Sequence, residues 1–328
     1  MPDLSTTYLG FKIANPFIVS SSGFTRNVEG ILKCEDAGAS AVVMKSLFEE
    51  EMRAAGKDVA QAEYYHPEVM EYLRSEVELE YHAEKYFETI RTVKEKSSFP
   101  IIASLNAGTG KWWVQYAKSV ESAGADALEL NLYFNNIDEE MRSNELEALY
   151  IATVREVREA VSIPLAVKLS RYFTAIPGLV LELEKAGMNS VVLFNRFLQP
   201  DIDLDNFKIK SATFLDDPVG MHYAIRWISY LKDKTEIDII GSGGVKNHED
   251  LIKYLLAGAS AVESCSVLYD KGLSVIPEII KGLRSWMTEK GFETLKEVVG
   301  KASLEKSMQT EDYLRAQFVK TVLEAEGI

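Results

Sequence analysis

The sequence predicts a single α/β domain, a (β/α)8 (TIM) barrel with a long loop after its second strand and a helical C-terminal tail. Three observations predict it. A small-residue turn that ends a helix and runs straight into a buried apolar strand recurs four times, at Ala37-Gly38-Ala39-Ser40, Ala123-Gly124-Ala125-Asp126, Ala186-Gly187-Met188-Asn189 and Ala257-Gly258-Ala259-Ser260. Eight apolar runs of strand length alternate with helical patterns, and no second sheet's worth of strand is left over. The first run ends in Ser20-Ser21-Ser22-Gly23, which is not the glycine fingerprint that a doubly wound sheet carries after its first strand.

The elements follow in order. Glycine in each repeated turn can take the left-handed cap that stops a helix, and the apolar run behind it suits a parallel strand covered on both faces. Strand one is Phe17-Ile18-Val19-Ser20, with a helix over 28–37. Strand two, 41–44, ends at Lys45-Ser46 and leads into an acidic, Tyr-rich excursion over 47–78. An amphipathic helix then carries Leu79, Ala83, Tyr86, Ile90 and Val93 at helical spacing. Strands three and four are 100–105 and 127–132, with helices over 110–123 and 138–160. Strand five is 164–169 with a helix over 176–186, and strand six is 190–195. A second excursion, 196–218, precedes a helix over 219–231. Strands seven and eight are 237–240 and 261–264, with helices over 249–257 and 274–287.

The 328 residues could make two ordinary domains or one large barrel. No Pro/Gly/Ser-rich linker divides them, so the expectation is a barrel over 1–291 and a helical extension over 292–328 packed on it or on a neighbouring subunit. With 47% hydrophobic and 26% charged residues, the composition is that of a globular protein. A net charge of −14 and the lack of any basic stripe exclude a nucleic-acid partner. Cys34 and Cys265 are isolated, and the four histidines show no metal spacing, so neither a disulfide framework nor a metal is expected. No signal peptide and no bilayer-length apolar run are recognisable. A cytoplasmic protein without a membrane partner is expected, and a homodimer is the commonest symmetric assembly for such a chain.

In such barrels the working face is the rim at the strand C-termini. That rim is polar: Ser20 to Gly23, Lys45-Ser46, Ser104-Leu105-Asn106, Asn131, Asn135-Asn136, Lys168, Asn195, Gly241 to Gly244, and Ser264-Cys265-Ser266. Helix caps and loops account for part of it. They account poorly for Lys45 and Lys168, because a cation at the end of a buried strand is costly unless something anionic answers it. Gly243 and Gly244 follow strand seven and Ser266 follows strand eight, the usual phosphate-binding address of this fold. A phosphorylated ligand whose far end carries electron density is implied, and flavin mononucleotide fits that description. A Schiff-base lysine acting on a sugar phosphate is the competing chemistry.

Taken together, these motifs resemble the dihydroorotate dehydrogenase family, particularly its soluble class 1 members. The resemblance rests on Asn15-Pro16-Phe17 with Ser21-Ser22-Gly23, Lys45-Ser46, Glu129-Leu130-Asn131-Leu132, Val167-Lys168-Leu169, the run from Ile240 to Val245, and Leu255-Leu256-Ala257-Gly258-Ala259. It implies flavin mononucleotide lying across the strand ends and a small cyclic substrate such as dihydroorotate, hence a place in pyrimidine biosynthesis. By that resemblance Ser22 and Gly23 flank the ring, Lys168 faces its N1/O2 edge, and Gly243, Gly244 and Ser266 hold the phosphate. Ser21, Lys45, Ser46, Asn106, Asn131, Asn195, Gly220 and Cys265 complete the expected cofactor set. Lys45 and Asn131 are the expected catalytic residues, and both join Asn136 and Asn195 around the substrate.

The match breaks at the proton acceptor. Where the family places a cysteine or serine shortly after the strand-four asparagine, this chain reads Leu132-Tyr133-Phe134-Asn135-Asn136, and Phe134 cannot take a proton. Substitute bases are Tyr133, or Glu49, Tyr64, Tyr65 and His66 of the long loop. A flavin-binding protein without dehydrogenase activity is therefore a third alternative.

Overall fold

Eight parallel strands close into a ring. The computed structural model describes residues 1–48, 83–106, 110–134, 138–196, 200–211 and 218–307. A hairpin of β1 (Thr6–Tyr8) and β2 (Phe11–Ile13) precedes the barrel strands β3 (Phe17–Val19) and β4 (Ala41–Val43). After the two-residue β5 (Leu47–Phe48) come barrel strands β6 (Ile101–Asn106), β7 (Ala127–Asn131), β8 (Leu165–Ser170) and β9 (Ser190–Asn195). A second hairpin, β10 (Pro200–Asp203) and β11 (Lys208–Ser211), separates these from β12 (Asp238–Ser242) and β13 (Ala261–Ser264). Pairing of β4 with β6 and of β13 with β3 completes the barrel. The eight expected strands are these eight, with ends moved by a residue or two.

The helices form the outer layer. They are α1 (Val28–Asp36), α2 (Ala83–Lys96), α3 (Gly110–Ser122), α4 (Ser143–Ala160), α5 (Ile176–Lys185), α6 (Pro218–Leu231), α7 (His248–Ala257), α8 (Ser266–Lys271), α9 (Val275–Lys290) and α10 (Leu304–Ser307). The four repeated turns do what the sequence suggests. Gly38, Gly124, Gly187 and Gly258 have φ of +91°, +92°, +103° and +127°. The residue after each glycine donates its N–H five residues back, closing the helix end as Ala39 does on Cys34. The residue after that donates to the preceding barrel strand: Ser40 to Phe17, Asp126 to Ile101, Asn189 to Leu165 and Ser260 to Ile239, at 2.8–3.0 Å. One local motif thus ends a helix and sets the register of the next strand.

The barrel interior has two layers. The lower one is apolar and is sealed by the N-terminal hairpin, whose Tyr8, Leu9 and Ile13 pack on Ile18, Val43, Ile102, Ala166, Val192 and Ile240. Leu9 and Gly10 turn it with φ of +52° and +82°, the positive values that a tight hairpin demands. Leu9 N–H also donates to Asp238 Oδ2 at 2.8 Å, pinning the turn inside the mouth. This plug was not anticipated, because three-residue strands carry no periodic signal.

One expected helix boundary needs correction, and two segments gain detail. The helix expected from residue 138 begins at Ser143. Asp138 instead accepts from Glu140 N–H, and the Glu145 carboxylate caps the Arg142 N–H, local bonds that compete with a helical start. The second excursion contains the β10–β11 hairpin. The described part of the C-terminal segment, 292–307, is mainly turns with a short 3-10 turn and α10. It is anchored by Leu295 N–H on Asp3, Gly300 N–H on Leu255 and Ala302 N–H on Leu256.

Gly241 of β12 lies against the buried Tyr254 of α7, and a Cβ there would sit 2.3 Å from Tyr254 Cδ1. Gly241→Ala is expected to cost about 1–3 kcal/mol from overpacking, read as a lowered urea midpoint. Burial pushes the Cys34 thiol up to about 12, whereas an unfolded thiol titrates near about 8.5. Between those values the unfolded chain loses a proton that the native state keeps, so stability falls as pH rises through that window. Cys34→Ala should flatten the decline, measured as urea midpoint against pH.

Candidate functional site at the strand C-termini

Side chains alternate along a strand, so the interior layer above the plug is set by the same register that builds the plug. It contains Ser20, Ser104, Glu129, Lys168 and Glu263, all buried. Lys168 Nζ donates to Glu263 Oε2 at 2.7 Å and to Ser20 Oγ at 3.0 Å, and lies 3.7 Å from Glu129 Oε1. Ser20 Oγ donates to Glu263 Oε2 at 3.1 Å, and Tyr8 Oη to Glu263 Oε1 at 3.4 Å. Burial alone would pull the Lys168 ammonium down. The Glu129 and Glu263 carboxylates outweigh it and hold Lys168 above the usual lysine range. The anion that answers Lys168 is thus supplied by the protein itself. An ammonium so held is the unreactive form for Schiff-base attack.

Sequence reasoning missed Glu129 and Glu263. The signal was present, since each is a carboxylate enclosed by apolar neighbours in a buried strand, and the cost assigned to a buried cation applies equally to them. Lys45 is placed differently from Lys168. It lies beyond the end of β4, half-buried, with Nζ 5.3 Å from the Phe48 ring centroid, a cation–π distance.

Above this layer the rim residues meet in two groups. A serine chain joins β3, β4 and β6: Ser21 Oγ to Ser46 Oγ at 3.1 Å, then Ser46 Oγ to Ser104 Oγ at 2.9 Å. Across the barrel, Asn195 Nδ2 donates to Asn131 Oδ1 at 2.6 Å, bringing the ends of β7 and β9 together. Gly23 N–H donates to Tyr269 Oη of α8 at 2.8 Å. Gly243 and Gly244 have φ of +94° and +71°, and a Cβ at Gly243 would meet nothing within 4 Å. Cys265 caps α8, Ser266 is its first residue, and Gly220 lies in the first turn of α6. Asn136 and the alternative bases Glu49, Tyr64, Tyr65 and His66 lie outside the described residues.

Three buried polar atoms at this rim, Ser22 Oγ, Asn106 Nδ2 and Ser264 Oγ, have no hydrogen-bond partner among the described residues. A buried polar group left unpaired is costly, so partnerless atoms at three strand ends, with open space beside Gly243, fit a polar ligand seated across the rim. Hydrogen-bonding groups for a ring and glycine-rich backbone for a phosphoryl group are both present, which is the donor set that flavin mononucleotide requires.

The region of the expected proton acceptor is apolar. Phe134 is buried with its ring edge-on to Tyr150 at 5.1 Å, and Tyr150 is edge-on to Phe173 at 5.0 Å. Tyr150 Oη donates to Leu132 O at 3.1 Å, locking this cluster beneath the end of β7. Tyr133 is half-buried, and burial followed by the nearby Tyr172 raises its phenol above the usual range, against service as a base. Among the described residues no cluster of His, Cys, Asp or Glu could hold a metal ion, and no helix is long and apolar enough to cross a membrane.

Comparison with known proteins agrees with this architecture. The family model for dihydroorotate dehydrogenase matches residues 3–287. The chain is similar to the dihydroorotate dehydrogenase B (NAD(+)) catalytic subunit of Thermoplasma volcanium, with 32% identity over 92% of this chain and 99% of that one. It is 30% identical to the subunit of the same name from Pyrococcus abyssi, over 91% of this chain and 99% of that one. The closed barrel and the match over nearly the whole of it lead to one conclusion: the chain belongs to the dihydroorotate dehydrogenase family.

Proposed function

We propose that this protein is a flavin mononucleotide-dependent oxidoreductase of the dihydroorotate dehydrogenase type, acting on a CH–CH bond of a small cyclic substrate. The single observation that carries the cofactor half is the set of buried polar atoms at the ends of β3, β6 and β13 that have no hydrogen-bond partner among the described residues. Bound flavin would supply the hydride acceptor. Ser22, Gly23 and Asn106 would line the ring, and Lys168, from the layer below, would favour electron density at its N1/O2 edge. Backbone N–H groups at Gly243, Gly244 and Ser266 would take the phosphate. Asn131 and Asn195, already bonded to each other, would turn their remaining amide groups to the substrate, with Lys45 beside them. The relatives' names include NAD(+) and the words catalytic subunit. For this chain we propose likewise that electrons leave through a separate partner subunit, from a cytoplasmic homodimeric core.

A second reading has a specific observation in its favour. Phe134, packed against Tyr150, offers no proton acceptor where the family resemblance expects one. Flavin binding with little turnover of dihydroorotate follows from that. The Schiff-base alternative loses support at Lys168, whose ammonium is held by Glu263.

The protein is expected to take up flavin mononucleotide and turn yellow. A preparation that stays colourless with added flavin overturns the cofactor assignment. Under anaerobic mixing with dihydroorotate, wild-type flavin should bleach slowly. Phe134→Cys should bleach on the order of 100-fold faster, the low end of what a positioned acid or base contributes. No bleaching in either protein removes dihydroorotate as the substrate.

A further inference from the structure

The barrel interior holds two carboxyl groups and one ammonium, with Glu129 and Glu263 fully enclosed and Lys168 nearly so. If all three were charged, an uncompensated negative charge would be locked between the apolar plug below and the rim above, which the interior strongly disfavours. One proton removes it. The geometry says where that proton belongs. Glu263 is served by three donors, Lys168 Nζ, Ser20 Oγ and Tyr8 Oη, an arrangement that favours a carboxylate. No donor lies within hydrogen-bond distance of either Glu129 oxygen among the described residues, Lys168 Nζ standing off at 3.7 Å and the Glu263 carboxyl interacting with it, which disfavours a second carboxylate there.

The other ionisable groups facing this cluster leave the balance intact. Tyr8 stays a neutral phenol, raised by burial and then by Glu263, Glu129 and Asp238. Asp238 lies at the lower mouth, bonded to Leu9 N–H and Ser260 Oγ. Cys265 lies on the rim side and acts on Lys168 across a distance. Glu129 itself is driven well above the usual carboxyl range, first by burial and then by Glu263, with Lys168 pulling the other way.

We propose that Glu129 and Glu263 together hold one proton, resting on Glu129, and that this pair takes up a second proton from water, on Glu263, when negative charge is placed on a ligand ring above Lys168. The pair is then a charge compensator. Lys168 is neutralised by Glu263 while the ring is neutral, and is released to face the ring when the ring becomes anionic. Glu129 and Glu263 are positioning residues that act through Lys168. The second half of the proposal rests on reading the rim ligand as a flavin; the first half does not.

Infrared difference spectroscopy with carboxyl-labelled glutamate separates the two. In flavin-free wild-type protein at neutral pH, one buried carboxylic acid band is expected, and Glu129→Gln should remove it. Absence of that band in wild type, or its survival in E129Q, overturns the shared proton without reference to flavin. If E129Q fails to fold, pH titration of the wild-type band decides the first half. Reduction of the flavin-loaded protein with dithionite should add a second acid band, with about one proton per flavin taken up beyond that bound by the ring. In Glu263→Gln that added band should be lost. An unchanged number of acid bands on reduction overturns the compensator. Failure to load flavin instead overturns the cofactor reading and leaves the resting-state result standing.

Discussion

Inside the barrel, a lysine and a glutamate meet at 2.7 Å, the glutamate fully enclosed and the lysine nearly so. The remainder of the molecule is arranged around that contact. A closed parallel barrel turns every second residue of each strand inward, so Lys168 and Glu263 cannot swing out to solvent without breaking register. Breaking one partner of such a pair leaves an uncompensated buried charge. The apolar layer of Ile18, Val43, Ile102 and Val192, sealed by the N-terminal hairpin, denies water from below. The serine and asparagine side chains at the strand ends then form the boundary between this enclosed charge and whatever binds above it.

That boundary has two sides of different character. Toward β3, β6, β12 and β13 it presents hydroxyls, an amide and glycine-rich backbone, groups able to hydrogen-bond a polar ligand. Beyond the end of β7 it presents Phe134, Tyr150 and Phe173 packed edge to face. Aromatic edges of this kind exclude water and fix one another's rings; they do not exchange protons. A single scaffold can therefore keep the means of holding a redox ring while the chemistry beside it changes, because the two sets of residues sit on different strand ends. Family membership speaks to the scaffold, and the substrate belongs to the loops and strand ends that vary on it.

Much of the architecture was readable from the chain because its causes are local. The four Gly turns each combine a helix stop, a left-handed residue and a strand start within a few positions, and each side of the repeat can be recognised by residue type alone. The rim was readable one step further, since the strand ends follow once the strands are known, and polar residues at those ends stand out against the apolar runs. Ser22, Asn106, Asn131, Asn195 and Gly243 were expected at strand ends and lie there, whereas Lys168 lies one layer lower. The N-terminal hairpin was not, because its two strands are too short to show alternation and gain their stability from the barrel mouth they fill.

The chain's own pattern decided the number of strands, their order and the end of the barrel at which polar residues are concentrated. It also decided that charged side chains would lie within strands covered on both faces. Which charges meet was a matter of tertiary structure alone. Glu263 is 95 residues from Lys168 in the chain, and its strand does not neighbour β8 in the sheet. Closure of the barrel brings the two together across the interior. A buried lysine announces in sequence that some anion must answer it. Only the folded ring determines that the anion is a carboxylate of the same chain rather than a ligand, because contact across a barrel is fixed by closure and register and leaves no trace in local composition.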